Sequence, residues 1–163
     1  MPYNQGHWVY ESEEIIKLGG DKYIITDPDL KLNPNLPQNF IDILAELSDQ
    51  YKIDKIGFSL DITNNINTNI KMNGKIVPDW EANFWKEKID NPTYELYKAP
   101  IDTTFCLINS KYYKVGSYEG IRVAGNFTCT HIPWTIDYEK TLLDGELDYY
   151  KQNNASTTWV DRG

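Results

Sequence analysis

The sequence predicts an α/β fold, a mixed sheet flanked by helices, in which short strands alternate with helical stretches. Three observations carry this. Phe40, Ile43, Leu44, Leu47 and Tyr51 recur at i, i+3, i+4, i+7 and i+11, which is one apolar helix face. Tyr23-Ile24-Ile25 and the alternating run Ile56-Gly57-Phe58-Ser59-Leu60-Asp61-Ile62 read as strands. The 163 residues contain no repeat and no linker, so residues 1–163 make one domain with its own core.

Taken in order, residues 8 to 18 predict a short helix bearing Trp8, Val9, Ile15 and Ile16, stopped by Gly19-Gly20. A strand over 22–26 follows. Asn33-Pro34-Asn35-Leu36-Pro37 is a turn, with Pro37 suited to the first turn of the helix that ends near Tyr51. After the strand at 56–62, the Asn-rich residues 63 to 76 read as a loop or mobile flap with a turn at Asn73-Gly74. Pro78 and Asp79 open a second helix, Asp79 as its N-cap, carrying Trp80, Phe84, Trp85 and Ile89. Strands are expected at 93–98, 102–108 and 120–124. A final helix is expected from about 138 to 151, with Leu142, Leu143 and Leu147 facing inward.

Composition excludes several function classes. The formal net charge of −8 argues against non-specific binding to nucleic acid or anionic membranes, though a metal could still neutralise a local phosphate site. No apolar stretch is long enough to span a bilayer. The first residues lack the basic and apolar regions of a signal peptide, and Cys106 and Cys129 form no C-x-x-C. A cytoplasmic protein with two reduced thiols is therefore expected, and the sequons at Asn126 and Asn154 carry no weight.

The residues that could carry chemistry begin with Asp27-Pro28-Asp29, at the C-terminal end of the first strand. Two carboxylates one residue apart can clamp a hard divalent cation, Mg²⁺ or Mn²⁺, and ligands in open α/β sheets collect beyond strand C-termini. The plain alternative is a strand-ending turn. His131 is a metal ligand, a proton carrier or a hydrogen-bonded structural histidine. Asp102, inside an apolar segment, is a general base or caps the amides of Thr103 and Thr104. Glu81 is a second base or a solvated first-turn glutamate. Arg122, between apolar residues, suits a diphosphate or a structural ion pair. Trp80, Trp85 and Trp134 are sugar-facing rings or core.

Several stretches together resemble a family. Tyr23-Ile24-Ile25-Thr26-Asp27-Pro28-Asp29, Gly57-Phe58-Ser59-Leu60-Asp61-Ile62, Trp80-Glu81 with Phe84-Trp85, and Tyr97-Lys98-Ala99-Pro100-Ile101-Asp102-Thr103-Thr104-Phe105 are similar to glycosyltransferases of the family 2-like, GT-A-fold class. Ile121-Arg122-Val123-Ala124-Gly125, Thr130-His131-Ile132-Pro133-Trp134, Tyr149-Tyr150 and Asn154-Ala155-Ser156-Thr157-Thr158-Trp159 extend the likeness over nearly the whole chain.

The resemblance implies a sugar transfer from a nucleotide-sugar donor to a glycan or other hydroxyl acceptor. It implies that Asp27, Asp29 and His131 hold Mn²⁺ or Mg²⁺ on the donor diphosphate, and that Asn4 and Gly6 lie near the nucleotide. Asp102, ahead of Glu81, would face the acceptor hydroxyl, with Trp80, Arg122 and Trp134 contributing to binding. Complete members begin with further βα units that form the nucleobase pocket. This chain is expected to be the metal-binding and acceptor half, N-terminally truncated. A fragment, a partner chain or homo-oligomer supplying strands, and a non-enzymatic carbohydrate-binding or scaffold relative are the competing explanations. Hydrolysis of a phosphodiester by the same carboxylates is a further class.

Overall fold

The structure, a computed structural model, describes residues 13–101, 104–114 and 117–153. Trp8, Asn4, Gly6 and Asp102 lie outside the described residues. The centre is a six-stranded mixed sheet built from β1 (Lys22–Ile25), β3 (Lys55–Phe58), β6 (Lys88–Ile89), β7 (Leu96–Lys98), β8 (Cys106–Asn109) and β9 (Ile121–Val123). Its order is β1-β8-β3-β9-β7-β6. Two short ladders stand apart from it: β2 (Leu30–Lys31) with β10 (Thr130–His131), and β4 (Lys71–Met72) with β5 (Lys75–Ile76). Helices α1 (Glu13–Gly19), α2 (Phe40–Tyr51), α3 (Val77–Glu81) and α4 (Glu146–Asn153) complete the α/β architecture.

Strand direction decides where a site can form. β1 is antiparallel to β8, β8 is antiparallel to β3, and β3 is parallel to β9. Thus β1, β3 and β9 all point the same way, and their C-terminal continuations emerge on one rim of the sheet. That is the rim where open α/β sheets collect ligands.

The predicted α2 face is realised. Ile43, Leu44 and Leu47 are buried against Ile56, Leu107 and their neighbours, and α2 packs on β3 and β8. Lys52 ends the helix in a left-handed conformation, its N–H donating to Ser48 O. The Asn109 side chain donates to Ser48 Oγ at 3.0 Å, and Ser48 Oγ donates to Ile53 O at 2.7 Å. This buried polar chain pins the helix to the sheet. All four residues of β3 are buried, so it is a two-sided central strand rather than an alternating one. Phe58 stacks on Phe105 with ring centroids 4.3 Å apart, and Phe40 and Phe127 pack edgewise against Phe58 or Phe105. Gly57 makes this approach possible, since a Cβ there would lie 2.1 Å from Phe105 O.

Three expectations need correction. Residues 63 to 76, expected as a loop or mobile flap with a turn at Asn73-Gly74, hold that turn but also a short hairpin. Asn73 (φ 49°) and Gly74 (φ 77°) close the β4–β5 hairpin with the left-handed pair a tight turn demands. Ile70 is buried beside it, and Asn67 N–H donates to Trp134 O at 2.8 Å. The second helix is shorter than predicted: α3 starts at Val77 and passes into a 3₁₀ turn over Ala82–Trp85. Its N-cap is Ile76, not Asp79, because Pro78 already fits the first helical turn, and Ile89 belongs to β6. The predicted 138–151 helix is broken. A 3₁₀ turn at Tyr138–Thr141 yields to extended Leu142 (ψ 146°), and Gly145 (φ 82°) precedes α4. Leu143 is 78% exposed as a result, not inward.

Candidate metal centre and adjoining pocket

β1 delivers Asp27 and Asp29 to the ligand rim within four residues of its last paired residue, Ile25. Asp29 is then locked in place by the β2–β10 ladder. The register pairs Leu30 with His131 and Lys31 with Thr130, and Ile132 N–H donates to Asp29 O at 3.0 Å. A histidine 102 positions later in the chain thus arrives beside the first acid pair. One oxygen from each of Asp27 and Asp29 and one nitrogen of His131 lie within 4.8 Å of one another. His131 Nε2 is 3.5 Å from Asp29 Oδ1, too long for a strong charge-assisted hydrogen bond.

The Asp29 carboxylate is desolvated. Asp29 Oδ1 is buried and accepts no hydrogen bond from the described residues. Burial pushes the Asp29 carboxyl above its ordinary range, and its own backbone amide offsets this only in part. The His131 ring meets Trp134 edge-on with centroids 4.6 Å apart, and Trp134 is itself 8% exposed and part of the main core. Trp134 is therefore a wall that orients the imidazole, not an open sugar platform. Two carboxylates and an imidazole form a donor set for Mn²⁺ or Mg²⁺. Ligands ~2.1 Å from such an ion sit no more than about 4.2 Å apart, a little closer than the 4.8 Å limit that encloses these three atoms.

Glu81 and Arg122 lie elsewhere in the core, bound to each other. Arg122 Nη1 donates to Glu81 Oε1, Arg122 Nε donates to Pro100 O at 2.9 Å, and the guanidinium lies 4.2 Å over the Phe84 ring. Glu81 is 1% exposed and Arg122 4%, which overturns the solvated glutamate and leaves the structural ion pair for Arg122. Trp80 is half-buried, with its ring edge-on to Phe84 at 5.9 Å. Cys129 lies within the electrostatic reach of this pair and of Asp27, but burial dominates and pushes its thiol up to about 12.

Sequence reasoning missed a second feature of the rim. A pocket of about 660 Å³ opens beside the ladder, lined among others by Lys31, Asn33, Asp61, Asn64, Trp85 and Thr130. Asp61 follows β3, and the carbonyl and amide of Cys129 bond to Asp61 N and Ser59 O, stitching the β3 and β9 continuations together. The available signal lies in Asp61-x-Thr63-Asn64, expected as a strand end running into an Asn-rich loop, and in Asn33-Pro34-Asn35, expected as a turn before the helix. Asp61 Oδ1 accepts from Thr63 N, Thr63 Oγ1 and Asn64 N, and Oδ2 accepts from Asn64 Nδ2. Burial raises the Asp61 carboxyl, but these hydrogen bonds outweigh it and hold the group below its ordinary range.

Among the described residues, no helix is long and apolar enough to cross a membrane. Comparison of the chain with protein-family models, curated proteins and solved structures finds no match.

Proposed function

We propose that this chain is a GT-A-like glycosyltransferase domain with a metal centre and an acceptor site, moving a sugar from a nucleotide-sugar donor to a hydroxyl of a glycan. The observation that carries the reading is the convergence of Asp27, Asp29 and His131 at the ligand rim, with a desolvated Asp29 oxygen that accepts no hydrogen bond from the described residues. When bound there, Mn²⁺ or Mg²⁺ supplies positive charge opposite the departing diphosphate.

The chain's own residues do the rest. Asp27 and Asp29 provide hard oxygen ligands, and the β2–β10 ladder fixes their spacing to His131. Trp134 keeps water from one side of the imidazole. Asp102 is the proposed base for the acceptor hydroxyl. The chain leading to it is anchored, because Ala99 N–H donates to Gly120 O and Pro100 O accepts from Arg122. Under this reading the partners are a nucleotide-sugar and a glycan, and the outer edge of β1, unpaired among the described strands, would accept an added strand from another chain.

The test is thermal denaturation with nucleoside diphosphates, with and without Mn²⁺, together with turnover of a panel of nucleotide-sugars. Stabilisation that needs nucleotide and Mn²⁺ together is expected. Asp29→Ala should keep the fold and abolish Mn²⁺-dependent turnover. Undiminished turnover in that variant would overturn the reading.

A further inference from the structure

We propose that the pocket beside the metal centre binds a neutral pyranose, the terminal sugar of the acceptor. This deepens the glycosyltransferase reading and rests on it for the word acceptor. The binding claim itself stands on the pocket alone.

The first argument is position. The pocket shares the β2–β10 ladder with the candidate metal centre. The Leu30–His131 rung belongs to the metal side, and the next rung, Lys31–Thr130, is pocket wall. Segments after β3 and after β9 line the same space, so the chain ends of the one parallel ladder among the described strands converge on it. A ligand there lies next to whatever the cation holds.

The second argument is chemistry. At about 660 Å³ the pocket falls within the roughly 300–1,000 Å³ of small-molecule sites. Its wall mixes apolar surface from Leu32, Pro34 and Ile62 with a few polar groups. Trp85 contributes a large flat ring backed by Tyr97, with centroids 5.2 Å apart. The Trp85 Nε1–H is buried and has no acceptor among the described residues, a desolvated donor that a ligand oxygen would satisfy. Asp61 Oδ2 carries a single hydrogen bond, from Asn64, and so keeps acceptor capacity for a hydroxyl. Lys31, an exposed residue of the lining, provides an ammonium. One carboxylate and one ammonium leave the lining with no net charge. A diphosphate would gain from Lys31 and lose from Asp61, whereas a polyhydroxylated ring uses an acceptor, donors and an apolar face together.

The experiment uses the full chain and methyl glycosides of glucose, galactose, mannose and N-acetylglucosamine. Binding is read by saturation-transfer NMR, and Mn²⁺ binding separately by electron paramagnetic resonance. At least one glycoside should bind without metal, and Mn²⁺ should then broaden its ring protons. Trp85→Ala should weaken that glycoside at least tenfold while leaving Mn²⁺ binding within twofold. Lys31→Met, an exposed change that cannot disturb the core, should weaken it measurably in the same direction. Asp29→Ala should keep the glycoside and lose the broadening.

If no glycoside binds while Mn²⁺ does, the pocket proposal falls and the metal reading survives. The proposal also falls if glycoside binding ignores both pocket variants, or if those variants weaken a nucleoside diphosphate instead. If a glycoside binds through Trp85 but Mn²⁺ does not bind, the pocket stands and the transferase reading falls.

Discussion

His131 Nε2 lies 3.5 Å from Asp29 Oδ1, although 102 positions separate the two residues. The two-residue pairing of β2 with β10, and the bond from Ile132 N–H to Asp29 O, bring them together. If a cation belongs between them, replacing the imidazole should cost affinity without costing the fold. His131→Gln is expected to weaken Mn²⁺ at least about tenfold, by analogy with the loss seen when even outer-shell partners are removed. A Mn²⁺ titration followed by electron paramagnetic resonance checks this. Equal affinity in the variant would remove His131 from the ligand set.

The Glu81–Arg122 pair should be a stability element. Glu81→Gln leaves a buried guanidinium without its counter-charge and should cost about 3–5 kcal/mol in urea unfolding. The double variant Glu81→Gln/Arg122→Met should recover much of that, because the stranded charge is gone. A single variant no weaker than the wild type would show that the pair does not persist in solution.

Gly57→Ala tests the close approach of β3 to Phe105. A Cβ 2.1 Å from a backbone oxygen can be relieved only by moving the central strands apart. The expected loss is at least about 2 kcal/mol, read as a lower urea midpoint.

Asp61 gives a pH signature. Its hydrogen bonds hold the folded carboxyl below the unfolded value, so its contribution is present above an unfolded pKa of about 3.9 and fades as pH falls through the folded value. Asp61→Asn should therefore lower stability by about 1 kcal/mol at pH 7, and the gap to wild type should close below about pH 4. A gap that stays constant with pH would mean that the charge is not involved.

Both cysteines are buried, Cys106 fully and Cys129 nearly so. A thiol reagent at pH 8 should label neither in the native protein and both in denaturant. Rapid native labelling of Cys129 would show that the β3–β9 continuations open on the reagent's timescale.

The parts of the fold that were legible in the sequence are the parts that speak locally. The α2 face and the β1 strand followed by its acid pair are written within a dozen consecutive residues, and the structure keeps both. The C-terminal helix failed because Leu142, Leu143 and Leu147 fit helical spacing, while the left-handed Gly145 between them breaks the backbone. Asp79 looked like a cap, yet Pro78 had already claimed the first turn. His131 could be named as a residue type. Its place opposite Leu30 could not be derived, since a two-residue strand has no periodicity to read. The Glu81–Arg122 pair spans 41 positions and leaves no local mark. The pocket is assembled from four separate segments, a turn, a strand end, a helical tryptophan and a Thr-rich stretch, whose meeting no local pattern records.

A hairpin-length pairing of only two rungs has little intrinsic persistence in water. Here each rung is claimed from outside, one by a candidate ion and the other by a candidate sugar. Filling either end should stiffen the strip and spare the second guest part of its ordering cost, so by linkage each guest should tighten the other to the same degree. A two-rung ladder at the rim would then be the hinge through which two chemically unlike ligands sense one another.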